Sequence, residues 1–383
     1  MATDFDFAPL DLFITGPVLI RQEVREAGLL PEFGHRDTEN EKRFGPIMAH
    51  LRTLAGVGDE WQPIILNGSG SVAMEATIRS LVADDETVLN VSVGAFGDLY
   101  HKLAVLNGKK AEQLQFEAGQ AINLNVFEDA LKKYAPQVVT FTHNETSTGV
   151  CNDIVACCEL VRKYKALPLV DGVSIFGGAD IQLKEAQPTT YATATQKSMG
   201  LPAGYGLCFL TDEALDKAKH VTNRGYSSDL VTQMTKAVKN QTLTTPNTTL
   251  ANQMCMQLDY IVNVEGVDNR FARHLQLQKF THNWVEAQKG LRLFAPEGFR
   301  SPTVTCVQTA QGTTVAELKQ LKEDMRARGY LFDPGYGKLN TNLEAAGKPP
   351  VFRIGHMADL QQPLLEKYLK ELSEAIAPYC NGR

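Results

Sequence analysis

Between residues 60 and 210 the chain repeats one pattern: a short apolar run, a turn of small or polar residues, then a segment with helically spaced apolar positions. Pro63-Ile64-Ile65-Leu66 runs into Asn67-Gly68-Ser69-Gly70-Ser71, which opens a helical pattern over residues 72–81. Val88-Leu89-Asn90-Val91-Ser92-Val93 ends at Gly94-Ala95-Phe96-Gly97. Val138-Val139-Thr140-Phe141-Thr142 leads into His143-Asn144-Glu145-Thr146-Ser147-Thr148-Gly149. A helical stretch near 153–165 then precedes Leu167-Pro168-Leu169-Val170 and Asp171. Strands alternating with helices in this way predict an α/β fold, a mainly parallel sheet with helices on both faces.

The flanks read differently. Residues 12–20, Leu-Phe-Ile-Thr-Gly-Pro-Val-Leu-Ile, are apolar but broken by Gly16-Pro17, which predicts an extended arm with a turn. The polar cluster Gly34-His35-Arg36-Asp37 precedes a helical pattern reaching Leu54. After residue 210 the texture is helical, interrupted by the polar stretch Thr242–Thr249. From 262 a long helix leads to strands near 303–308, a helix over 314–328, a loop at Gly335-Tyr336-Gly337, the strand Val351-Phe352-Arg353-Ile354 and an amphipathic helix over 363–377. A chain of 383 residues is too long for one small core, so an N-terminal arm (1–20), a large domain (21–261) and a smaller C-terminal α+β domain (262–383) are expected.

Composition narrows the function. The formal net charge is −6 and no Lys/Arg-rich run is interleaved with aromatics, so no nucleic-acid partner is expected. No stretch approaches the ~18 apolar residues of a spanning helix, and residues 1–7 have neither a basic region nor an apolar core. Membrane insertion and export are therefore not expected. The seven cysteines are scattered, odd in number and without a C-x-x-C pair. They suggest no zinc or other metal site and fit a reduced, cytoplasmic compartment. Small-molecule chemistry is the expectation that remains.

Lys197 stands in Ala194-Thr195-Gln196-Lys197-Ser198-Met199-Gly200-Leu201-Pro202-Ala203-Gly204, ahead of the apolar run Leu207-Cys208-Phe209-Leu210. This reads as a buried lysine on a loop entering a strand. Burying an ammonium is costly unless it is paired or its pKa falls, and a lysine with a lowered pKa is the usual Schiff-base nucleophile. Pyridoxal 5'-phosphate on Lys197 is the expected cofactor. The turn at Gly68–Ser71 offers free backbone N–H groups and hydroxyls at a helix N-terminus, where either a phosphate or a plain helix cap fits. It has neither the Walker spacing nor G-x-G-x-x-G. Phe96 is either a core ring or a platform for a planar ligand. Ligands of such sheets bind at the carboxyl ends of the strands, and Ser69 to Ser71, Phe96, Thr146, Asp171 and Lys197 all fall at or near those ends.

With these residues placed, the sequence resembles the class V aminotransferases among the fold-type I pyridoxal phosphate enzymes, over essentially the whole chain. It looks most like the serine/alanine–glyoxylate (serine–pyruvate) branch. The resemblance rests on residues 143–154, Val170-Asp171-Gly172-Val173-Ser174, Gln196-Lys197 and Phe352-Arg353-Ile354-Gly355-His356-Met357. It implies a large domain with a mixed, mainly parallel sheet plus a smaller domain, and a homodimer whose active sites lie at the subunit interface. It further implies that Lys197 carries the cofactor and that Asp171 keeps the ring nitrogen protonated. Ser69, Gly70, Ser71 and Gln196 would hold the phosphate, joined by Thr244 from the second subunit. Thr146 would bond the ring hydroxyl region, Phe96 would stack, and Arg353 would clamp the substrate carboxylate. Two departures touch the phosphate contacts: Ser71 stands where some relatives have His or a larger residue, and Gln241 where some have tyrosine.

The implied reaction moves the amino group of serine or alanine to glyoxylate or pyruvate, with Lys197 removing the Cα proton. His35 and Arg36 are similar to the pair that binds substrate phosphate in phosphoserine aminotransferases. That reading and 2-aminoethylphosphonate–pyruvate transamination are the alternatives, with Tyr336 a further substrate-facing candidate. Cysteine desulfurase needs a mobile loop cysteine and a stacking histidine, whereas Cys306 falls in an expected strand and Phe96 takes the stacking place. A scaffold that had lost activity would show damage at Lys197, Asp171 or Arg353, and all three are present.

Overall fold

The computed structural model describes residues 9–380; residues 1–8, within the expected arm and including the stretch read for a leader, lie outside the described residues. The apolar runs form a seven-stranded sheet in the order Gln62–Gly68, Gly204–Leu210, Thr190–Ala194, Leu167–Asp171, Val138–Thr142, Thr87–Ser92, Lys110–Gln115. Gly204–Leu210 runs antiparallel to both of its neighbours, and the remaining pairs are parallel. The sheet is therefore mixed and mainly parallel.

Alternation along each strand builds two cores. Ile65, Leu89, Val139, Phe141, Val170, Leu207 and Phe209 enter one cluster, with Phe44, Leu51, Phe127, Val161 and Leu250 from the helices on that face. Ile64, Leu66, Val88, Val138, Leu169, Cys208 and Leu210 enter the other, with Met74, Ile78, Tyr100 and Leu230. Successive side chains of a strand point to opposite faces, so a strand apolar at every position needs helices on both sides.

A second, three-stranded sheet pairs Val304–Gln308 with Arg292–Leu293 and with Val351–Gly355, all antiparallel. It packs with the helices Val267–Ala287, Val315–Ala327 and Gln362–Cys380 around Phe352, Ile354, Leu321 and Tyr368. The arm reaches this body, because Asp11–Leu12 pairs in parallel with Tyr330–Leu331. The sequence pattern missed the strands Lys110–Gln115 and Thr190–Ala194 and the helix Gly337–Ala345, whose first residue is the last of the expected loop at 335–337. None of the described helices is long and apolar enough to cross a membrane, and the described residues hold no cluster of three or more His, Cys, Asp or Glu suited to a metal ion.

Candidate active site

Each strand at the centre of the large sheet delivers one polar group to a common end. Asp171 is the last residue of Leu167–Asp171, Thr146 lies beyond Val138–Thr142, and Lys197 lies in the turn between Thr190–Ala194 and Gly204–Leu210. Phe96 sits in the first turn of the helix Ala95–Leu106, and Ser69 is the N-cap of the helix Gly70–Leu81. Together these residues line a cavity of about 140 Å³ with Gly70, Ser71 and Gln196. A larger groove of about 880 Å³, lined by Asp153, Gln278, His282 and Arg300 among others, contains none of these converging groups.

Lys197 is 7 % exposed. Its Nζ donates to Thr146 Oγ1 at 2.8 Å and stands 4.8 Å from the centre of the Phe96 ring. Burial pushes the ammonium down to about 8; Asp171 opposes that shift and the Arg353 charge adds to it. An amine with a pKa near neutrality is free to act as nucleophile or base at the pH where enzymes work. Asp171, 3 % exposed, accepts from the Val173 N–H at 2.9 Å. Burial pushes its carboxyl up to about 7, with that N–H and Lys197 pulling the other way.

Arg353 enters from the other sheet. Its Nη1 donates to the Thr146 carbonyl at 3.2 Å, its Nη2 lies 3.0 Å from Asp333 Oδ2, and its Nε is buried without a partner among the described residues. Tyr336 approaches Phe96, with ring centres 6.5 Å apart. From the arm, Gly16 comes so close that an added Cβ would lie 3.1 Å from Lys197 Cγ.

The turn fits a phosphate. Ser69 makes no capping bond with its side chain, its Oγ lies 2.8 Å from Ser71 Oγ, and Gln196 Oε1 is buried with no partner among the described residues. An N-terminus with open N–H groups and two hydroxyls is a donor set that a phosphate monoester takes up, and the donor Gln196 can add is its amide NH2 rather than the unpartnered oxygen.

Not every candidate gathers here. Arg36 donates to the carbonyls of Thr242 at 2.7 Å and Leu243 at 2.8 Å, and neither it nor His35 lines the Lys197 cavity. Thr244 accepts from Asn67 Nδ2 at 3.1 Å and is likewise absent from the cavity of its own chain. Conversely, sequence reasoning missed Glu145. Its carboxylate is fully buried and accepts from the N–H groups of Phe96 at 3.0 Å, Gly97 at 3.2 Å and Ser147 at 3.0 Å, and from Ser147 Oγ at 2.7 Å. Burial pushes its pKa up and these bonds pull it back. Its place beside Thr146 was the available signal.

Comparison with known proteins gives the family. Residues 33–327 match the family described as aminotransferase class-V. An uncharacterized aminotransferase of Methanocaldococcus jannaschii is 31% identical over 354 residues, 90% of this chain and 87% of the relative. The serine–glyoxylate aminotransferase of Hyphomicrobium methylovorum is 30% identical, covering 92% of this chain and 86% of its own. Among solved structures, the alanine–glyoxylate aminotransferase of Nostoc sp. superposes with a TM-score of 0.88 at 23% identity over 98% of this chain and 97% of that one, a likeness of fold. The chain belongs to the class-V aminotransferases and is a pyridoxal-phosphate-dependent transaminase of fold type I.

Proposed function

We propose that the protein transfers the amino group of a small amino acid, serine or alanine, to glyoxylate or pyruvate. The observation that carries this reading is the single guanidinium of Arg353, bonded to the Thr146 carbonyl while Lys197 is bonded to the Thr146 hydroxyl. One planar cation beside the reactive amine suits a substrate with one carboxylate and an uncharged side chain. Lys197 is the only cation among the residues lining the cavity, and Arg353 adjoins it through Thr146. The serine–glyoxylate relative and the alanine–glyoxylate neighbour support the same choice.

Pyridoxal phosphate, when bound, supplies an electron-withdrawing ring that takes up the charge left by breaking the substrate's Cα–H bond. The chain's own groups do the rest. Lys197 holds the cofactor and then moves the Cα proton, which its depressed pKa permits. Asp171 would face the ring nitrogen, where a cation would return its carboxyl to the ionised form. Ser69, Gly70, Ser71 and Gln196 would hold the phosphate, Thr146 the ring hydroxyl, and Phe96 would cover the ring. Arg353 orients the substrate carboxylate. In a homodimer, Thr244 of a second copy would complete the phosphate site.

The test is a panel of serine, alanine, phosphoserine, 2-aminoethylphosphonate and cysteine against glyoxylate, pyruvate and 2-oxoglutarate. We expect the highest kcat/KM for serine or alanine with glyoxylate or pyruvate. A large preference for phosphoserine or the phosphonate, or release of sulfide from cysteine, overturns the reading. The Lys197→Ala variant should lose both turnover and the visible absorbance of the bound cofactor.

A further inference from the structure

Arg270 is completely buried on the helix Val267–Ala287, and its guanidinium bonds four residues. Nη2 donates to the Ser198 carbonyl at 2.7 Å and Nε to the Gly177 carbonyl at 2.8 Å. Nη1 lies 2.7 Å from Asp359 Oδ1 and 2.8 Å from Glu265 Oε2. The other oxygen of Asp359 accepts from Gln257 Nε2 at 2.7 Å, and the same Nε2 donates to the Met199 carbonyl at 2.8 Å.

Of the three carbonyls held in this way, those of Ser198 and Met199 belong to the residues that directly follow Lys197. Gly200 closes the turn in the left-handed region, with φ of +75°, and its N–H bonds the Lys197 carbonyl at 2.9 Å. A Cβ at Gly200 would lie 2.5 Å from Asp359 Oδ2 and 2.8 Å from Gln257 Nε2, so the turn and the charged group are in contact. Asp359 itself lies shortly beyond Val351–Gly355, the strand that carries Arg353.

A buried guanidinium loses much of its hydration energy, and an ion pair of this kind is often no more stabilising than apolar packing of the same volume. Here Arg270 donates to the Ser198 carbonyl and Gln257 to the Met199 carbonyl, both next to the reactive lysine, and the carboxylate they share, Asp359, comes from the segment that follows the substrate-binding arginine. We propose that Arg270, with Asp359 and Gln257, is a positioning group that fixes the Lys197–Gly200 turn in register with the Arg353 strand. The two halves of the active site come from different sheets, and this clamp sets the distance between them. The inference rests on Lys197 being the cofactor lysine, and exchange measured in cofactor-free protein reads the clamp independently of that role.

Three variants test it: Asp359→Asn, which keeps shape and leaves Glu265 to balance Arg270, Gln257→Met, which removes only the bonds to Met199 and Asp359, and Arg270→Lys. Amide exchange is followed at Gly200 and Leu201, whose N–H groups bond the Lys197 and Thr195 carbonyls, with Val138–Thr142 as internal reference. We expect exchange at those two amides to rise about tenfold or more while the reference strand is unchanged, the expected response to local loosening. In the loaded enzyme the pH midpoint of the cofactor's visible band should move by about half a unit or more, because the lysine's surroundings set its pKa. kcat should fall about tenfold with KM for the amino donor within about threefold, as expected of a misplaced catalytic group. If Arg270→Lys does not fold, the other two decide. Folded Asp359→Asn and Gln257→Met proteins with parental exchange and an unmoved midpoint overturn the proposal, whatever their kcat.

Discussion

Replacing Glu145 by glutamine tests how the platform around Phe96 is held. Oε2 accepts from two N–H groups at the start of the helix Ala95–Leu106, and Oε1 from the N–H and hydroxyl of Ser147. An amide of the same shape turns one of these acceptors into a donor. Facing the helix, it would leave two N–H groups unmet; facing Ser147 it leaves one, because the hydroxyl can rotate and accept. The cheaper orientation loses one bond to a charged acceptor, about 1.5–3 kcal/mol, and strands a buried N–H at about 1–3 kcal/mol. Removing a buried charge whose pKa burial already raises returns part of this, so a net loss of about 2 kcal/mol is expected. Thermal and urea unfolding of Glu145→Gln and Glu145→Ala check the figure, and the alanine variant, which loses all four bonds, should be the less stable. Because Phe96 and Thr146 flank the carboxylate, kcat should fall about tenfold or more for Glu145→Gln. A glutamine variant as stable and as active as the parent would refute the reasoning.

Gly172 follows Asp171, and a Cβ there would overlap the hydroxyl and ring of the fully buried Tyr191. Gly172→Ala should therefore destabilise by about 3 kcal/mol or more, the upper range for overpacking a rigid site, and appear as a lowered thermal midpoint or loss of soluble protein. Acid should weaken the fold in a defined window. His143 is fully buried and burial pushes it from 6.5 down to about 4, so the folded state keeps it neutral while the unfolded chain takes a proton. The stabilisation is complete above pH 6.5 and is lost as pH falls toward 4, about 3 kcal/mol for this group at about 1.4 kcal/mol per pKa unit. Urea midpoints at about pH 7 and about pH 4.5 measure it, and His143→Gln should flatten the slope between them. An identical slope in the variant rejects the assignment.

What the sequence pattern revealed of the fold was governed by burial. Val138–Thr142 and Leu167–Asp171 are buried almost throughout, and their apolar runs stand out. Lys110–Gln115 is an edge strand, exposed or half-exposed along its length, so it reads Lys-Ala-Glu-Gln-Leu-Gln and gives no apolar signal. Thr190–Ala194 fails for another reason. It is fully buried yet built from threonine and alanine around one tyrosine, next to the close-packed start of the helix Gly70–Leu81, where Gly70 nearly touches Ala194. Hydropathy records neither an edge nor a core made of small residues.

For the site, the same division runs between groups that act with their side chains and groups that act on backbone. Lys197, Asp171, Phe96 and Thr146 sit at strand or helix ends in a repeating α/β pattern, so position along the chain already implies that they meet, and the structure brings them to one cavity. His35 and Arg36 are candidates by resemblance to a phosphate-binding pair, and resemblance says nothing of direction: within its own chain the guanidinium of Arg36 turns to the carbonyls of Thr242 and Leu243. Glu145 and Arg270 were passed over because the groups through which they hold their turns include N–H and C=O groups of Phe96, Gly97, Ser198 and Gly177, which every residue but proline carries alike. A bond to backbone marks no complementary residue in the sequence, and the ion pairs of Arg270 with Asp359 and Glu265 do not show which turn it holds. Such groups become legible only when the fold shows which turns they hold, and in this chain both hold turns that carry a residue of the candidate site.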